Sequence, residues 1–174
     1  MNEAVAEAPK TAPPLASAAT ARLIALLLPA ALLAGAFGSQ YFGGLYPCEM
    51  CWWQRYAHLA ALAPAALAFT APAISQRSRM LILLAALAIA ASGAIGFYHA
   101  GVELKIFEGF TTCTSTASGA TTADLLKSIV AAPLIRCDQV QWSFLGISMA
   151  GWNAILSLGG AAVISWLTLK DWRR

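Results

Sequence analysis

The chain has 174 residues, 59% of them hydrophobic and 11% charged, with a mean hydropathy of +0.67. Soluble domains carry about 25% charged residues, and a water-soluble globule with so few could not cover its apolar surface, so these figures argue against a soluble enzyme and equally against a disordered chain. The net charge of +3, from 11 basic and 8 acidic residues, gives no footprint for nucleic acid.

The first 20 residues, rich in Ala and Pro and poor in large apolar groups, read as a disordered tail. Beyond it, the windows 23–48, 56–76, 80–102 and 139–169 contain no Asp, Glu, Lys or Arg. About 20 apolar residues rising 1.5 Å each cross a 30 Å hydrocarbon core, so every window can hold a span. Trimming the polar ends places helices near 22–39, 56–74, 80–98 and 144–168. They are too long and too uniform for barrel strands, and lipid demands internally satisfied backbones. Pro29 and Pro64 fall inside the first two and predict local bends. The expected architecture is an all-α membrane protein: one domain over 21–170, a four-transmembrane-helix bundle with loops 40–55 and 99–143 on one side. Arg22 followed by Leu23-Ile24-Ala25-Leu26-Leu27-Leu28 also fits a cleaved signal peptide, but the long apolar stretch and the extended acidic tail before it favour a span.

Four spans put both termini on one side. Lys10, Arg22, Arg77, Arg79, Lys170, Arg173 and Arg174 lie there, whereas Arg55, Lys105, Lys127 and Arg136 share the two opposite loops with five acids. The positive-inside bias makes the termini cytoplasmic and the loops outward. Trp142, Trp166, Trp172, Tyr41, Tyr46 and Tyr98 stand near expected helix ends, as interfacial anchors do. Within the long loop, the polar run 111–119 reads as mobile. The stretch 123–130 puts Leu125, Leu126, Ile129 and Val130 on one helical face, suiting a short helix on the membrane surface or on the bundle's outer end.

All four cysteines, Cys48, Cys51, Cys113 and Cys137, fall in the two loops, on the side where disulfides persist. A close Cys48–Cys51 pair and a distant Cys113–Cys137 pair are one arrangement; inert structural bridges are another. A four-cysteine zinc site fits the spacing poorly, because zinc sites favour two tight Cys-x-x-Cys knuckles and the second pair is split by 23 residues, so no metal is expected.

The run Pro47-Cys48-Glu49-Met50-Cys51-Trp52-Trp53-Gln54-Arg55-Tyr56 leads into the second helix. Pro47 suits a helix start, and the N–H groups and partial positive charge of a helix N-terminus favour thiolate over thiol. Cys48, Cys51 and Arg55 then share one face at i, i+3 and i+7; Glu49 opposes electrostatically but points elsewhere. A cation at the lipid boundary is costly unless paired or snorkelling. Besides an interfacial anchor, Arg55 suits a donor to a lipid-soluble acceptor near Cys51, and a quinone has the carbonyls and the apolar tail for that place. His58 continues the face and either supports this site or is satisfied by a neighbouring helix. Trp52 and Trp53 either flank such a quinone or face lipid, and His99 receives no role.

The motif Cys48-x-x-Cys51 with Gln54-Arg55 at the entrance of the second helix resembles the disulfide bond formation protein B (DsbB) family. So do the runs Cys137-Asp138-Gln139-Val140-Gln141-Trp142-Ser143-Phe144-Leu145-Gly146 and Tyr98-His99-Ala100-Gly101-Val102-Glu103. The likeness covers roughly 22–169, with Glu49 an unusual residue inside the motif. It implies a quinone-dependent oxidoreductase of the bacterial inner membrane, with periplasmic cysteines, that reoxidises a DsbA-like thioredoxin-fold partner. It further implies that Cys113 forms the mixed disulfide with that partner, Cys137 exchanges with Cys48, and Cys51 faces the quinone (ubiquinone or menaquinone) beside Arg55. A vitamin K epoxide reductase-like enzyme, whose active pair lies late in its bundle, and a disulfide-stapled membrane scaffold are the competing expectations.

Overall fold

The computed structural model describes residues 14–109, 120–131 and 135–170. Cys113, the polar run 111–119, the first 13 residues and Trp172 lie outside them.

Among the described residues the chain forms five helices and one small hairpin: α1 (Pro14–Tyr41), α2 (Glu49–Leu67), α3 (Gln76–Glu103), α4 (Thr122–Ala131), β1 (Ser143–Phe144), β2 (Ile147–Ser148) and α5 (Met149–Lys170). Three helical stretches among these residues are long and apolar enough to cross a membrane: Ser17–Tyr41, Gln76–Glu103 and Met149–Lys170.

Helix α2 begins at Glu49 rather than 56, taking the end of the expected loop 40–55 into the helix, and α3 begins at Gln76 rather than 80, because a helix can continue beyond the apolar window into polar residues outside the lipid. Four further boundaries differ from expectation, each for a local reason. Residues 14–20, expected to be disordered, already belong to α1. Pro suits a first helical turn and Ala is the strongest helix former, so the composition that resembled a tail extends the helix. Helix α2 ends at Leu67 rather than 74 and passes into a single 3-10 turn, Ala68–Thr70. Ala71 precedes Pro72 and is extended (φ −129°, ψ 159°), the conformation proline imposes on its predecessor. Helix α3, opened by the Ser75 side chain accepting from the Ser78 amide at 3.2 Å, continues past 98 to Glu103. The last helix starts at Met149 rather than 144, because Ser143–Ser148 forms an antiparallel hairpin pairing Ser143 with Ser148 and Phe144 with Ile147. Leu145 and Gly146 turn it with φ of +52° and +78°, the left-handed pair that a two-residue hairpin loop requires. Helix α4 occupies the stretch read as a short amphipathic helix, with Leu126 exposed.

Helix α3 packs most extensively on α5 and α2, while α1 lies against α2 and α5. The interior is made of small residues. Ala61 and Ala65 of α2, Ala85 and Ala86 of α3 and Ala161 of α5 are buried with Ile82, Ile89 and Ile164. Large apolar side chains point outward instead, among them Leu27, Leu87, Phe97 and Trp166. Helices that associate in lipid gain little from hiding leucines but much from close backbone approach, and this distribution is the result. The approach is tightest between α3 and α5: a Cβ on Gly96 would stand 2.9 Å from Asn153 Nδ2 and 3.0 Å from the Ala150 carbonyl oxygen.

Arg22 pins one end of the bundle. Its guanidinium is buried, donating to Ser78 Oγ at 2.8 and 2.9 Å and to the Ala71 carbonyl, and it lies over the Phe69 ring. Helix α1 is thereby fixed to the turn between α2 and α3. At the opposite end, the start of α2, the last turns of α3 and the start of α5 converge.

Candidate functional site

Cys48 is the N-cap residue of α2, in extended conformation (φ −76°, ψ 175°), and Cys51 follows in the first turn. The turn closes through the Trp52 amide donating to the Cys48 carbonyl at 3.2 Å. The two sulfurs lie 3.3 Å apart, Cys48 donating to Cys51. A disulfide of about 2.05 Å needs only a small approach from there. The helix N-terminus adds its partial positive charge at Cys51. Cys48 is almost wholly buried, at 2% exposure. Hydrogen bonds with Cys137 and Cys51, together with burial, push the Cys48 thiol far above the ordinary range. Cys137, also buried, packs with Cys48, Met50, Val102 and Ile135, so the chain brings one long-loop cysteine to the short-loop pair.

Arg55 sits on the cysteine face, as the helical spacing requires. Its guanidinium reaches across to α1, donating to Gln40 Oε1 and, at 2.9 Å, to the Ala36 carbonyl. It lies between two aromatic faces, 4.8 Å from the Phe37 ring centroid and 5.0 Å from that of Trp52. At 5% exposure this is an anchored charge rather than a snorkelling one. Trp52 therefore has a structural task, as a wall for the cation.

His99 is the residue that sequence reasoning left without a task. Its Nε2 lies 3.5 Å from Cys48 Sγ and 3.8 Å from Glu103 Oε1. Its Nδ1 stands 3.0 Å from Gln54 Nε2. The orientation of the Gln54 amide is fixed on both sides, because Nε2 also donates to the Met50 carbonyl at 3.1 Å and Oε1 accepts from Asn153 Nδ2 at 2.8 Å. Nδ1 of His99 is thus an acceptor, and in the neutral ring the proton resides on Nε2, directed at sulfur and carboxylate. A signal for this was present: His99 and Glu103 at i and i+4, on a helix read as ending five residues too soon.

His58 is held by Asn153 of α5, Nε2 to Oδ1 at 2.9 Å. Asn153 also donates to Ser92 Oγ at 3.2 Å and accepts from Ser157 Oγ at 3.0 Å, so the polar side chains of α2, α3 and α5 form one buried network. The expectation of a histidine satisfied by a neighbouring helix is met at Nε2. His58 Nδ1 has no hydrogen-bond partner among the described residues.

Outside the bundle, Asp138 clamps the segment that carries Cys137. Arg136 grips its carboxylate with two bonds, of 2.7 and 2.8 Å, and Lys105 adds one of 2.7 Å from the end of α3. The Arg136 and Lys105 cations hold the Asp138 carboxyl well below the usual carboxylate range.

A cavity of about 570 Å³ opens between α1, α2 and α5. Cys48, Cys51, Arg55, His58, His99 and Glu103 line it together with Leu32, Gly35 and Ala36 of α1. A flat ring of mixed polarity fits such walls: apolar along α1, with sulfur, cation and imidazole along α2 and α3.

A cysteine pair at a helix N-terminus, one sulfur buried and the other on a cavity wall, with a third cysteine against it, in a bundle whose exterior is apolar, defines a membrane thiol–disulfide oxidoreductase. The family profile described as Disulfide bond formation protein DsbB matches residues 18–167. The protein named Disulfide bond formation protein B of Methylococcus capsulatus is 36% identical over 162 residues, covering 87% of this chain and 96% of its own length. That of Marinobacter nauticus is 29% identical over 162 residues, covering 86% and 94%. That of Shewanella sp. strain MR-4 is 31% identical over 134 residues, covering 74% of each. No solved structure matches the chain significantly. The chain belongs to the DsbB family, and it is a membrane disulfide bond formation protein, an oxidoreductase.

Proposed function

We propose that this protein generates disulfides for a periplasmic DsbA-like thioredoxin-fold partner and passes the electrons to a membrane quinone through two cysteine pairs, Cys113–Cys137 and Cys48–Cys51. A thiolate of the reduced partner attacks Cys113, and Cys137 leaves as a thiolate. Cys137 attacks Cys48, and Cys51 leaves in turn. The partner's second thiolate resolves the mixed disulfide and releases Cys113, and Cys113 attacks Cys137, re-forming their bridge and freeing Cys48. The Cys48–Cys51 dithiol then closes to a disulfide, its two electrons leaving through Cys51. A quinone, when bound, supplies the acceptor for two electrons and two protons. The balance is partner dithiol plus quinone to partner disulfide plus quinol.

The residues present suit these tasks. Cys137 packs against Cys48, the sulfur it has to attack. Cys51 is the less buried of the short-loop pair, on the cavity wall beside Arg55. Arg55 spends one N–H on Gln40 and one on Ala36, leaving three of its five donors for a carbonyl oxygen in the cavity. His99 donates toward sulfur from Nε2 and stabilises charge developing there. The reading takes α2 as the fourth span. It places the termini in the cytoplasm by the excess of Lys and Arg at that end, and the cysteines on the periplasmic face of the inner membrane.

The observation that carries the reading is a cavity sharing one wall between a cysteine pair and a buried guanidinium. The test is quinone reduction by the purified full chain in detergent, supplied with a reduced thioredoxin-fold dithiol. Turnover is expected with ubiquinone or menaquinone analogues and is lost on Cys51→Ala. A chain with all bridges formed that turns over no quinone with that reductant refutes the reading.

A further inference from the structure

His58 stands one helical turn deeper than Arg55 on the same face of α2, lining the same cavity. It is 3% exposed, and its two nitrogens have opposite fates. Asn153 presents its oxygen to Nε2, because its nitrogen is committed to Gln54 Oε1 and Ser92. Nε2 therefore carries the proton, and Nδ1 is left as a bare acceptor. Nδ1 is shielded from solvent and has no partner among the described residues. A buried acceptor left unpaired costs about 1–3 kcal/mol, which a donor reaching it from the cavity recovers once the side chains that screen Nδ1 give way.

We propose that His58 is a second contact for the ring bound in this cavity, its Nδ1 accepting a hydrogen bond from a hydroxyl of the quinol. The proposal rests on the quinone reading above and deepens it. A quinone presents only carbonyl acceptors, and an acceptor nitrogen offers them nothing. The quinol presents O–H donors, so His58 distinguishes the two redox states and favours the reduced ring. Arg55 does the reverse, offering only donors. Two residues one turn apart on a helix have Cβ atoms about 5–6 Å apart, a separation comparable to that between the two oxygens of a para-quinone.

Two substitutions separate the nitrogens. His58→Asn keeps an acceptor near Nδ1 and drops the link to Asn153, whereas His58→Gln keeps a donor toward Asn153 and drops the acceptor. Binding of a short-tailed benzoquinone and of its benzoquinol is titrated anaerobically by tryptophan quenching, on the detergent-solubilised full chain with its disulfides formed. His58→Gln is expected to weaken quinol about tenfold and to hold quinone within about twofold, while His58→Asn stays near the unmodified chain for both. Quinol binding unchanged in His58→Gln, or an equal loss for both ring states, overturns the proposal and leaves the quinone reading standing. Should His58→Asn fail to accumulate, the His58→Gln titrations decide alone. An unmodified chain that binds neither ring overturns both readings.

Discussion

At the scale of single residues, the site depends on three side chains whose polar atoms are committed before any substrate arrives. Gln54 fixes the proton of His99 on the nitrogen facing sulfur, Asn153 fixes the proton of His58 on the nitrogen facing itself, and Arg55 is clamped between Phe37 and Trp52. Such groups lose little freedom on binding, so their hydrogen bonds count nearly in full. Arg55→Met keeps the apolar stem and removes the donors. Hydrogen bonds from charged groups contribute about 1.5–3 kcal/mol, so the apparent KM for quinone is expected to rise at least about tenfold. Thiol exchange between Cys137 and Cys48, followed by mass spectrometry of trapped disulfides, is expected to continue. An unchanged KM removes Arg55 from the site. Cys48, Cys51 and Arg55 were legible in the sequence because helical spacing puts them on one face. His99 had only Glu103 at i+4 to signal it, since its other partners, Cys48 and Gln54, lie at the start of α2, forty-five and more residues earlier in the chain.

At the scale of elements, the helices follow from charge-free windows, whereas their ends follow from local chemistry that hydropathy does not register. Pro72 stops α2, Ser75 starts α3, and a left-handed Leu145-Gly146 turn delays α5 by making a hairpin. Trp142, Phe144 and Trp152 pack around that hairpin, and the Trp152 indole donates to the Phe144 carbonyl at 3.1 Å. Trp142, read as an interfacial anchor, thus also shapes the entrance to the last helix. The α3–α5 contact is a sharper test of how elements meet. Gly96→Ala places a methyl group against Asn153 and the Ala150 carbonyl, one of them rigid backbone. Overpacking of this kind costs about 1–3 kcal/mol. The variant is expected to lower the thermal midpoint in detergent, and an unshifted midpoint shows that the two helices can part without cost.

At the scale of the whole molecule, the four long helices make two unlike halves. On one side α3 and α5 approach closely at glycine, alanine and serine positions; on the other, Arg22 ties α1 to the α2–α3 turn and the start of α3, and Arg55 ties α2 to α1 at the rim of the cavity. Composition foretold the membrane, the positions of the polar residues foretold the end that carries chemistry, and the asymmetry between halves was hidden, because small residues are spread through every helix. That asymmetry bears on how the protein comes apart. A joint where glycines let two backbones close together leaves little crevice for a detergent tail to wedge open, whereas a hollow beside α1 is such a crevice already. As detergent is made harsher, amide deuterium uptake is expected to begin along α1 and reach the α3–α5 pair last. Simultaneous exchange in all four would mean that the chain melts as a single block.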